Sequence, residues 1–167
     1  MKKIFIGAVL NPINEKKCDF FEDGAVLLDD KVVIEVGNFS ELNSKYGKKC
    51  EVLETNALIL PPFTDIHLHW VQNRVKGSFG GDLLPWLQKH IWPEEAKFKD
   101  LEYTHKMVDE FYDELLKNGT KNAMIYSSVH KEATEIAIKK GEGLGNFIIG
   151  NVLMDQNSPD YLQKSTD

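Results

Sequence analysis

The sequence is poor in cysteine and in long apolar runs. Its 167 residues include two cysteines, Cys18 and Cys50, whose spacing fits neither a zinc site nor a redox motif. Such sparing use of cysteine is typical of a reduced, cytoplasmic protein. No apolar run approaches the ~20 residues of a membrane-spanning helix. We therefore predict a cytoplasmic protein that has no membrane partner.

Positive charge is also scarce. There are 20 Lys and Arg residues against 26 Asp and Glu residues, which gives a formal net charge of −6. A nucleic-acid-binding protein usually carries a basic patch, so we expect no nucleic-acid partner. The start of the chain has lysines before a short apolar run, Ile4–Leu10, but no small-residue cleavage site follows, and we interpret the run as a first strand.

A hydrophobic content of 42% is sufficient for a folded core, and residues 1–57 have the pattern of β structure. A turn of the hairpin type is predicted at Asp29–Lys31. The predicted helix has Ser40 as its N-cap and ends before Gly47. The predicted elements are the strands Ile4–Leu10, Gly24–Leu28, Val32–Val36 and Cys50–Leu53, and the helix Phe39–Tyr46.

After residue 57 the pattern alternates between strand and helix. This order predicts a parallel sheet with right-handed crossovers, and hence an α/β fold. The predicted elements are a strand that ends at His69, a helix at Asp82–His90, a helix at Leu101–Asn118, a strand at Ala123–Tyr126, a helix at Ala133–Lys140, a strand at Phe147–Leu153, and a helix with Ser158 as N-cap and Pro159 at its first position.

The apolar run Leu58–His69 ends in two histidines one residue apart. Side chains alternate along a strand, so Asp65, His67 and His69 are predicted to share one face. Two imidazoles on one face can bind one metal ion, and Asp65 could orient a histidine as a hydrogen-bond partner. The alternative is that the two histidines end the strand with their rings in solvent.

The segment Pro62–His69 resembles the Pro-Gly-x-x-Asp-x-His-x-His signature of the amidohydrolase superfamily, although Pro62 occupies the glycine position. Further segments, in order along the chain, resemble the guanine deaminase members most, although Lys121 replaces a threonine that is usual there. These segments are His69–Gln72, Leu83–Leu87, Trp92–Glu95, Asn118–Thr120 and Val152–Asp155.

The resemblance implies a fold. Residues 58–167 are expected to form the first part of a (β/α)8 barrel, about three βα units, and residues 1–57 part of the flanking β-sandwich. On their residues alone, 1–57 could instead be an independent small β-domain. A complete barrel takes about 250 residues, so we expect the sequence to be the first part of a longer protein, not self-sufficient as a fold.

The resemblance also implies a site. His67 and His69 would bind Zn²⁺, with Fe²⁺ possible, one ion per complete active site, and the other ligands and the proton shuttle would come from later polypeptide. Gln72 would contact a purine substrate, and Trp86 would form a wall of its pocket. Without the resemblance, Gln72 is an exposed loop residue and Trp86 a core residue. His130 and Asp155 follow predicted strands, and we assign them structural roles.

The implied activity is the metal-dependent hydrolytic deamination of guanine to xanthine and ammonia, a step of purine catabolism. This segment alone is expected to be inactive, and the full-length protein is expected to be a homodimer. Two alternatives stay open. One is another amidohydrolase, which would act on a C–N or C–Cl bond of a heterocycle. The other is a non-catalytic half-barrel.

Overall fold

A computed structural model describes residues 1–163 and divides the chain into two compact units, Met1–Pro61 and Pro62–Asp167. The assignment of residues 1–57 to a flanking sandwich and of residues 58–167 to a barrel stays a prediction. Among the described residues, no helix combines the length and the apolar character needed to cross a membrane.

The first unit is built on a five-stranded sheet with one helix. The long strand β1 pairs antiparallel with β2 and β3 and parallel with β5, while β4 pairs with β3. β2 was not predicted from the sequence. The elements are β1 (Lys2–Asn14), β2 (Lys17–Phe21), β3 (Gly24–Asp29), β4 (Val32–Asn38), α1 (Phe39–Tyr46) and β5 (Glu51–Ile59).

The core of this unit lies where α1 covers the sheet. Leu42 of α1 packs with Ile4, Ala25 and Leu27, and all four side chains are buried. The helix has the predicted bounds, but its N-cap is Asn38, so the prediction of Ser40 was wrong. The backbone N–H of Phe39 donates to the carbonyl of Asp23, which fixes the start of the helix one residue before Ser40.

The second unit contains a parallel three-stranded sheet in the order β6-β7-β8. Two long helices pack on one face of it, and this confirms the predicted α/β class and its alternation of strand and helix. The elements that form this layer pair are β6 (Phe63–His69), α4 (Leu101–Lys117), β7 (Thr120–Tyr126), α5 (Lys131–Gly141) and β8 (Asn146–Gly150).

The core between the sheet and its helices is aromatic and aliphatic. Trp70 is fully buried and meets the ring of Phe98 edge to face, with centroids 4.7 Å apart. The Tyr112 hydroxyl donates to the carbonyl of Ala137 at 2.9 Å, which joins α4 to α5. Burial raises the pKa of Tyr112 to about 12. This hydroxyl therefore stays protonated and remains a donor at physiological pH.

A helical insertion follows β6. It was predicted as one short helix at Asp82–His90, but it continues to Lys99. The backbone N–H of Trp92 donates to the carbonyl of Leu87, a π-type bond, just before Pro93, which has no N–H to donate. The insertion comprises a 3-10 turn (Trp70–Val75), α2 (Leu83–Trp86), a π-helical turn (Leu87–Ile91), α3 (Trp92–Glu95) and a 3-10 turn (Ala96–Lys99).

The last predicted elements need correction. β8 ends at Gly150, short of the predicted Leu153, and the backbone N–H of Val152 donates to the carbonyl of Ser128 in the loop after β7. Ser158 is not an N-cap. Pro159 holds that position, and a short 3-10 turn follows at Asp160–Leu162. The rest of the helix predicted there lies outside the described residues.

Candidate active site

His67 and His69 lie at the carboxyl end of β6, and the two rings are close together. Their centroids are 5.3 Å apart. His69 is opposite Tyr126 in the register of β6 and β7, and its ring stacks on the tyrosine at 4.8 Å with an interplanar angle of 14°. The His67 ring is also 4.8 Å from Tyr126. One aromatic side chain of the neighbouring strand therefore supports both imidazoles.

Asp65 does not follow the alternation expected from the sequence. The pairing of β6 with β7 shifts between Asp65 and Leu68, which interrupts the simple two-residue period. Asp65 is opposite Ala123, a residue of the helix-covered core. Its carboxylate accepts the backbone N–H of His67 at 3.0 Å. Asp65 thus shapes the backbone beneath the histidine pair, and the predicted contact with an imidazole is not what this geometry provides.

His69 has the environment of a metal ligand. It is half-buried, and its Nδ1 atom is buried with no hydrogen-bond partner among residues 1–163. Burial lowers the pKa of His69, and the nearby His67 lowers it further. Both effects favour the neutral imidazole, which is the form that binds metal. Within the described part of the chain, no group of three or more His, Cys, Asp or Glu side chains could hold an ion.

A buried polar network joins the carboxyl ends of the three strands. The indole N–H of Trp70, just after β6, donates to Ser127 Oγ at 2.8 Å, just after β7. The Thr134 hydroxyl of α5 contacts Ser127 Oγ at 2.9 Å and Asn151 Oδ1, just after β8, at 2.6 Å. Satisfied networks of this kind rigidify a structure. The strand ends that carry the histidines are therefore held in fixed register.

The other polar residues after the strands have backbone contacts that suit structural roles. The backbone N–H of His130 donates to Ser128 Oγ at 3.0 Å, and His130 is the N-cap residue of α5. The carboxylate of Asp155 accepts the backbone N–H of Gln156 at 2.6 Å. The structural assignments made from the sequence agree with these contacts.

Gln72 lies on the 3-10 turn directly after β6 and contacts the insertion. Its amide nitrogen Nε2 donates to Glu95 Oε1 at 3.0 Å. Glu95 is only 3% exposed, and its second oxygen, Oε2, is buried without a hydrogen-bond partner in residues 1–163. Burial raises the pKa of the Glu95 carboxyl, whereas the hydrogen bond from Gln72 lowers it.

His69, Gln72 and Trp86 line one cavity of about 370 Å³. Its wall is mixed, with Leu68, Ile91, Phe111 and Leu115 among the apolar residues and Asn73, Lys76 and Glu114 among the polar ones. The Trp86 indole N–H donates to the carbonyl of Ser78 at 2.8 Å. Gly80 lies against the backbone of Trp86, where any Cβ would come within 2.7 Å of it. These contacts fix the indole at the cavity.

The structure therefore brings together three of the four residues proposed from the sequence, and His67 is adjacent to them through His69. That His67 and His69 bind a metal, and that Gln72 and Trp86 bind a substrate, stays a prediction. Two residues were missed. Tyr126 could have been found as the last residue of β7, next to the strand end that carries the histidines. Glu95 belongs to the segment Trp92–Glu95 that carries part of the resemblance, but its burial and its contact with Gln72 depend on packing across the insertion and could not be found from a local pattern.

We expect Glu95→Gln to stabilise the protein at neutral pH but not in acid. The folded pKa of Glu95 lies above its ordinary value of 4.5 because of burial. Below pH 4.5 the Glu95 carboxyl is protonated in both the folded and the unfolded state. As the pH rises through the pKa of the folded state, the free energy of unfolding of the wild type decreases. Glutamine stays neutral and keeps an acceptor for Gln72. At pH 7 the variant should melt about 2–4 °C higher, the shift that ~1 kcal/mol produces in a protein of this size.

The measurement is thermal unfolding between pH 4 and pH 8. Glu94→Gln is the matched control, because Glu94 is also buried but is ion-paired with Lys97 at 2.6 Å. Replacing Glu94 removes this ion pair and should therefore not stabilise the protein at pH 7. A difference in melting temperature between Glu95→Gln and wild type that does not change with pH would contradict the assignment.

A comparison with protein-family models finds no match. Among curated proteins, the chain is similar to the guanine deaminase of Escherichia coli (strain K12), with 34% identity over 145 residues that make up 86% of this chain and 33% of that protein. It is also similar to the 5-methylthioadenosine/S-adenosylhomocysteine deaminase of Thermodesulfovibrio yellowstonii, with 30% identity over 91% of this chain and 36% of that protein.

Among solved structures, the chain resembles the guanine deaminase of C. acetobutylicum with guanine bound in the active site. The TM-score is 0.80 at 33% identity, over 98% of this chain and 39% of that one. The chain thus spans a third to two-fifths of the length of the proteins it matches. These similarities confirm the resemblance to the guanine deaminase members of the amidohydrolase superfamily and the predicted fold.

Proposed function

Since the chain is related to guanine deaminases over a third to two-fifths of their length, we propose that it takes part in the hydrolytic deamination of guanine to xanthine and ammonia. The observation that carries the proposal is the single cavity lined by His69, Gln72 and Trp86. It places a metal-ligand candidate, an amide that can pair with a purine edge, and an aromatic wall around one space.

The proposed metal is Zn²⁺ or Fe²⁺, one ion per complete active site, and His67 and His69 would be two of its ligands. The residues fit this role because the rings are adjacent and because His69 has a buried nitrogen with no partner in the described residues. When bound, such an ion supplies Lewis-acid activation of the water that hydrolysis consumes. Tyr126 orients the rings from the neighbouring strand.

Gln72 and Trp86 are proposed to hold the purine. The amide of Gln72 uses one N–H on Glu95, which leaves its carbonyl oxygen and a second N–H for a ligand. Trp86 contributes a flat apolar face, which suits a heteroaromatic ring. The chain's own residues thereby orient the base and shield it from water, while the strand-end network keeps the histidines in place.

A second candidate is an amidohydrolase that acts on another heterocycle, at a C–N or C–Cl bond. The similarity to a methylthioadenosine/S-adenosylhomocysteine deaminase over 91% of the chain favours this candidate over the non-catalytic half-barrel. The two candidate activities differ in the heterocycle that the enzyme accepts. A direct comparison of guanine and adenine-type substrates with the full-length protein separates them.

We further propose that more polypeptide, the remainder of a barrel, covers the open face of the β6-β7-β8 sheet. Ile66, Met124 and Ile148 are 72%, 47% and 67% exposed, although apolar strand residues normally lie against a core. The full-length protein is proposed to be a cytoplasmic homodimer. The 167-residue segment alone is proposed to be inactive, because two histidines do not complete a catalytic metal site.

Substitution of Gln72 tests the proposal. In the full-length protein, Gln72→Ala should raise KM for guanine about tenfold, equivalent to 1.4 kcal/mol, because a hydrogen-bonding contact to the base is lost. Metal content should not change, since Gln72 is not a proposed ligand. The measurements are steady-state kinetics of xanthine formation and metal analysis of the purified protein.

Gln88→Ala is the matched control, because Gln88 is an exposed glutamine on the same insertion. It should leave KM unchanged. Unaltered guanine kinetics in Gln72→Ala would remove Gln72 from the substrate site. A wild-type protein that forms no xanthine from guanine would refute the proposed function itself.

A further inference from the structure

We infer that Glu95 is a positioning residue, which fixes the orientation of the Gln72 amide and so selects a purine that presents a ring N–H to it. The inference rests on the proposed function, because it takes the Gln72 amide as the group that meets the base. It goes beyond that function by assigning the selection between related purines to a residue that need not touch the substrate.

The geometry decides which end of the amide is available. An amide side chain has a donor end and an acceptor end, and it can reverse them by a half-turn. Here the donor end faces a carboxyl oxygen, because Gln72 Nε2 donates to Glu95 Oε1 at 3.0 Å. An ionised carboxylate only accepts hydrogen bonds, so the reversed amide would place two acceptors against each other. Glu95 therefore holds the Gln72 carbonyl oxygen on the far side, away from itself.

The rigidity of this arrangement comes from burial. Glu95 is on α3, between Trp92 and Phe98, which are both buried, and its own side chain is 3% exposed. The neighbouring Glu94 is held by Lys97 Nζ at 2.6 Å and by the Tyr103 hydroxyl, so it does not compete for Gln72. Burial raises the pKa of the Glu95 carboxyl, and the hydrogen bond that it accepts from Gln72 opposes this rise.

Glu95 is also a poor choice for stability alone. Its Oε2 atom is buried without a hydrogen-bond partner in the described residues, and an unsatisfied buried acceptor costs free energy. A glutamine or an apolar residue would avoid part of that cost. A carboxylate at this place is better explained by what it does to Gln72 than by the packing of α3.

The consequence is a rule for the ligand. A fixed carbonyl oxygen accepts from a ring N–H and repels an unprotonated ring nitrogen. Guanine offers such donors at N1 and at N9. A site built to bond a substrate N–H rejects an analogue that lacks it more strongly than it rejects a small change in size. Without the carboxylate, the amide of Gln72 can turn and offer its own N–H to an analogue.

The test uses two variants of the full-length protein and two analogues. Glu95→Leu removes the acceptor at similar size, whereas Glu95→Gln keeps it. The analogue 2-aminopurine has no N1–H, and 9-methylguanine has no N9–H. In Glu95→Leu the preference for guanine over one of these analogues, as a ratio of kcat/KM, should fall about tenfold. In Glu95→Gln both ratios should fall less than in Glu95→Leu, because the new amide can still accept from Gln72 although it can also donate to it.

A double variant distinguishes the positioning of Gln72 by Glu95 from a purely structural role of Glu95. If Glu95 acts through Gln72, then adding Glu95→Leu to Gln72→Ala should leave both ratios as they are in Gln72→Ala alone. Ratios that are unchanged in Glu95→Leu, or that change further in the double variant, would overturn the inference. The proposed function is tested separately, because it stands as long as the wild type converts guanine to xanthine.

A readout without substrate covers the case in which Glu95→Leu does not fold. In NMR spectra of the wild type, one proton of the Gln72 amide, identified by its loss in Gln72→Ala, should be shifted downfield by the carboxylate. The shift should persist in part in Glu95→Gln. A Gln72 amide with the shifts of a solvent-exposed glutamine would overturn the inference whether or not guanine is the substrate.

Discussion

The double variant His67→Ala/His69→Ala of the full-length protein should lose its metal and its deaminase activity together. The two imidazoles are the only proposed ligands in this chain, and a catalytic site with three or four protein ligands does not retain an ion when two are removed. Metal content should fall from about one ion per active site towards zero. Without the ion, hydrolysis loses the activation of its water, and xanthine formation should become undetectable.

Metal analysis and circular dichroism of the same preparation distinguish loss of the ion from loss of the fold. His67 is exposed, and His69 half-buried, so their removal should leave the core unchanged. His105→Ala is the control, since His105 is an exposed histidine of α4. Wild-type metal content in the double variant would show that the histidine pair is not a metal site.

The sequence was a good guide to the histidine pair and a poor one to the residues that support it. The position of His67 and His69 follows from strand alternation, and the place of Gln72 follows from its distance to the end of β6. The shared face expected for Asp65 is not found, because the pairing of β6 with β7 shifts between Asp65 and Leu68 and so changes which residues are opposite each other. The sequence of β6 alone does not predict such a shift, because the shift depends on how β7 pairs with β6.

The same limit explains the elements that were missed. β2, Lys17–Phe21, contains two charged residues and lies at the edge of its sheet, so its sequence lacks the apolar alternation of a half-buried strand. The insertion after β6 continues past Pro93 because a π-type turn accommodates a residue without a backbone donor. Glu95 is charged, as surface residues usually are. Its proposed role in positioning Gln72 depends on a contact with a residue 23 positions earlier, which a local pattern does not contain.

Trp70→Ala should mainly reduce the stability of the protein, whereas Trp86→Ala should mainly weaken substrate binding. Trp70 is fully buried between the sheet and its helices, against Phe98 and Phe111. Its loss should destabilise the protein by about 3–5 kcal/mol, the usual cost of removing a large buried aromatic side chain. The free energy of unfolding of a protein is about 5–15 kcal/mol in total, so this loss would remove a large share of it.

Trp86 has a different environment, although the two tryptophans belong to the same insertion. It is half-buried, lines the cavity with Gln72, and is held by one hydrogen bond to the carbonyl of Ser78. Trp86→Ala should cost much less stability but raise KM for guanine, because a flat apolar wall of the pocket is lost. Urea unfolding and guanine kinetics on both variants provide the measurements. If Trp86→Ala destabilised the protein as much as Trp70→Ala and left KM unchanged, Trp86 would be a core residue, and the pocket would have a different wall.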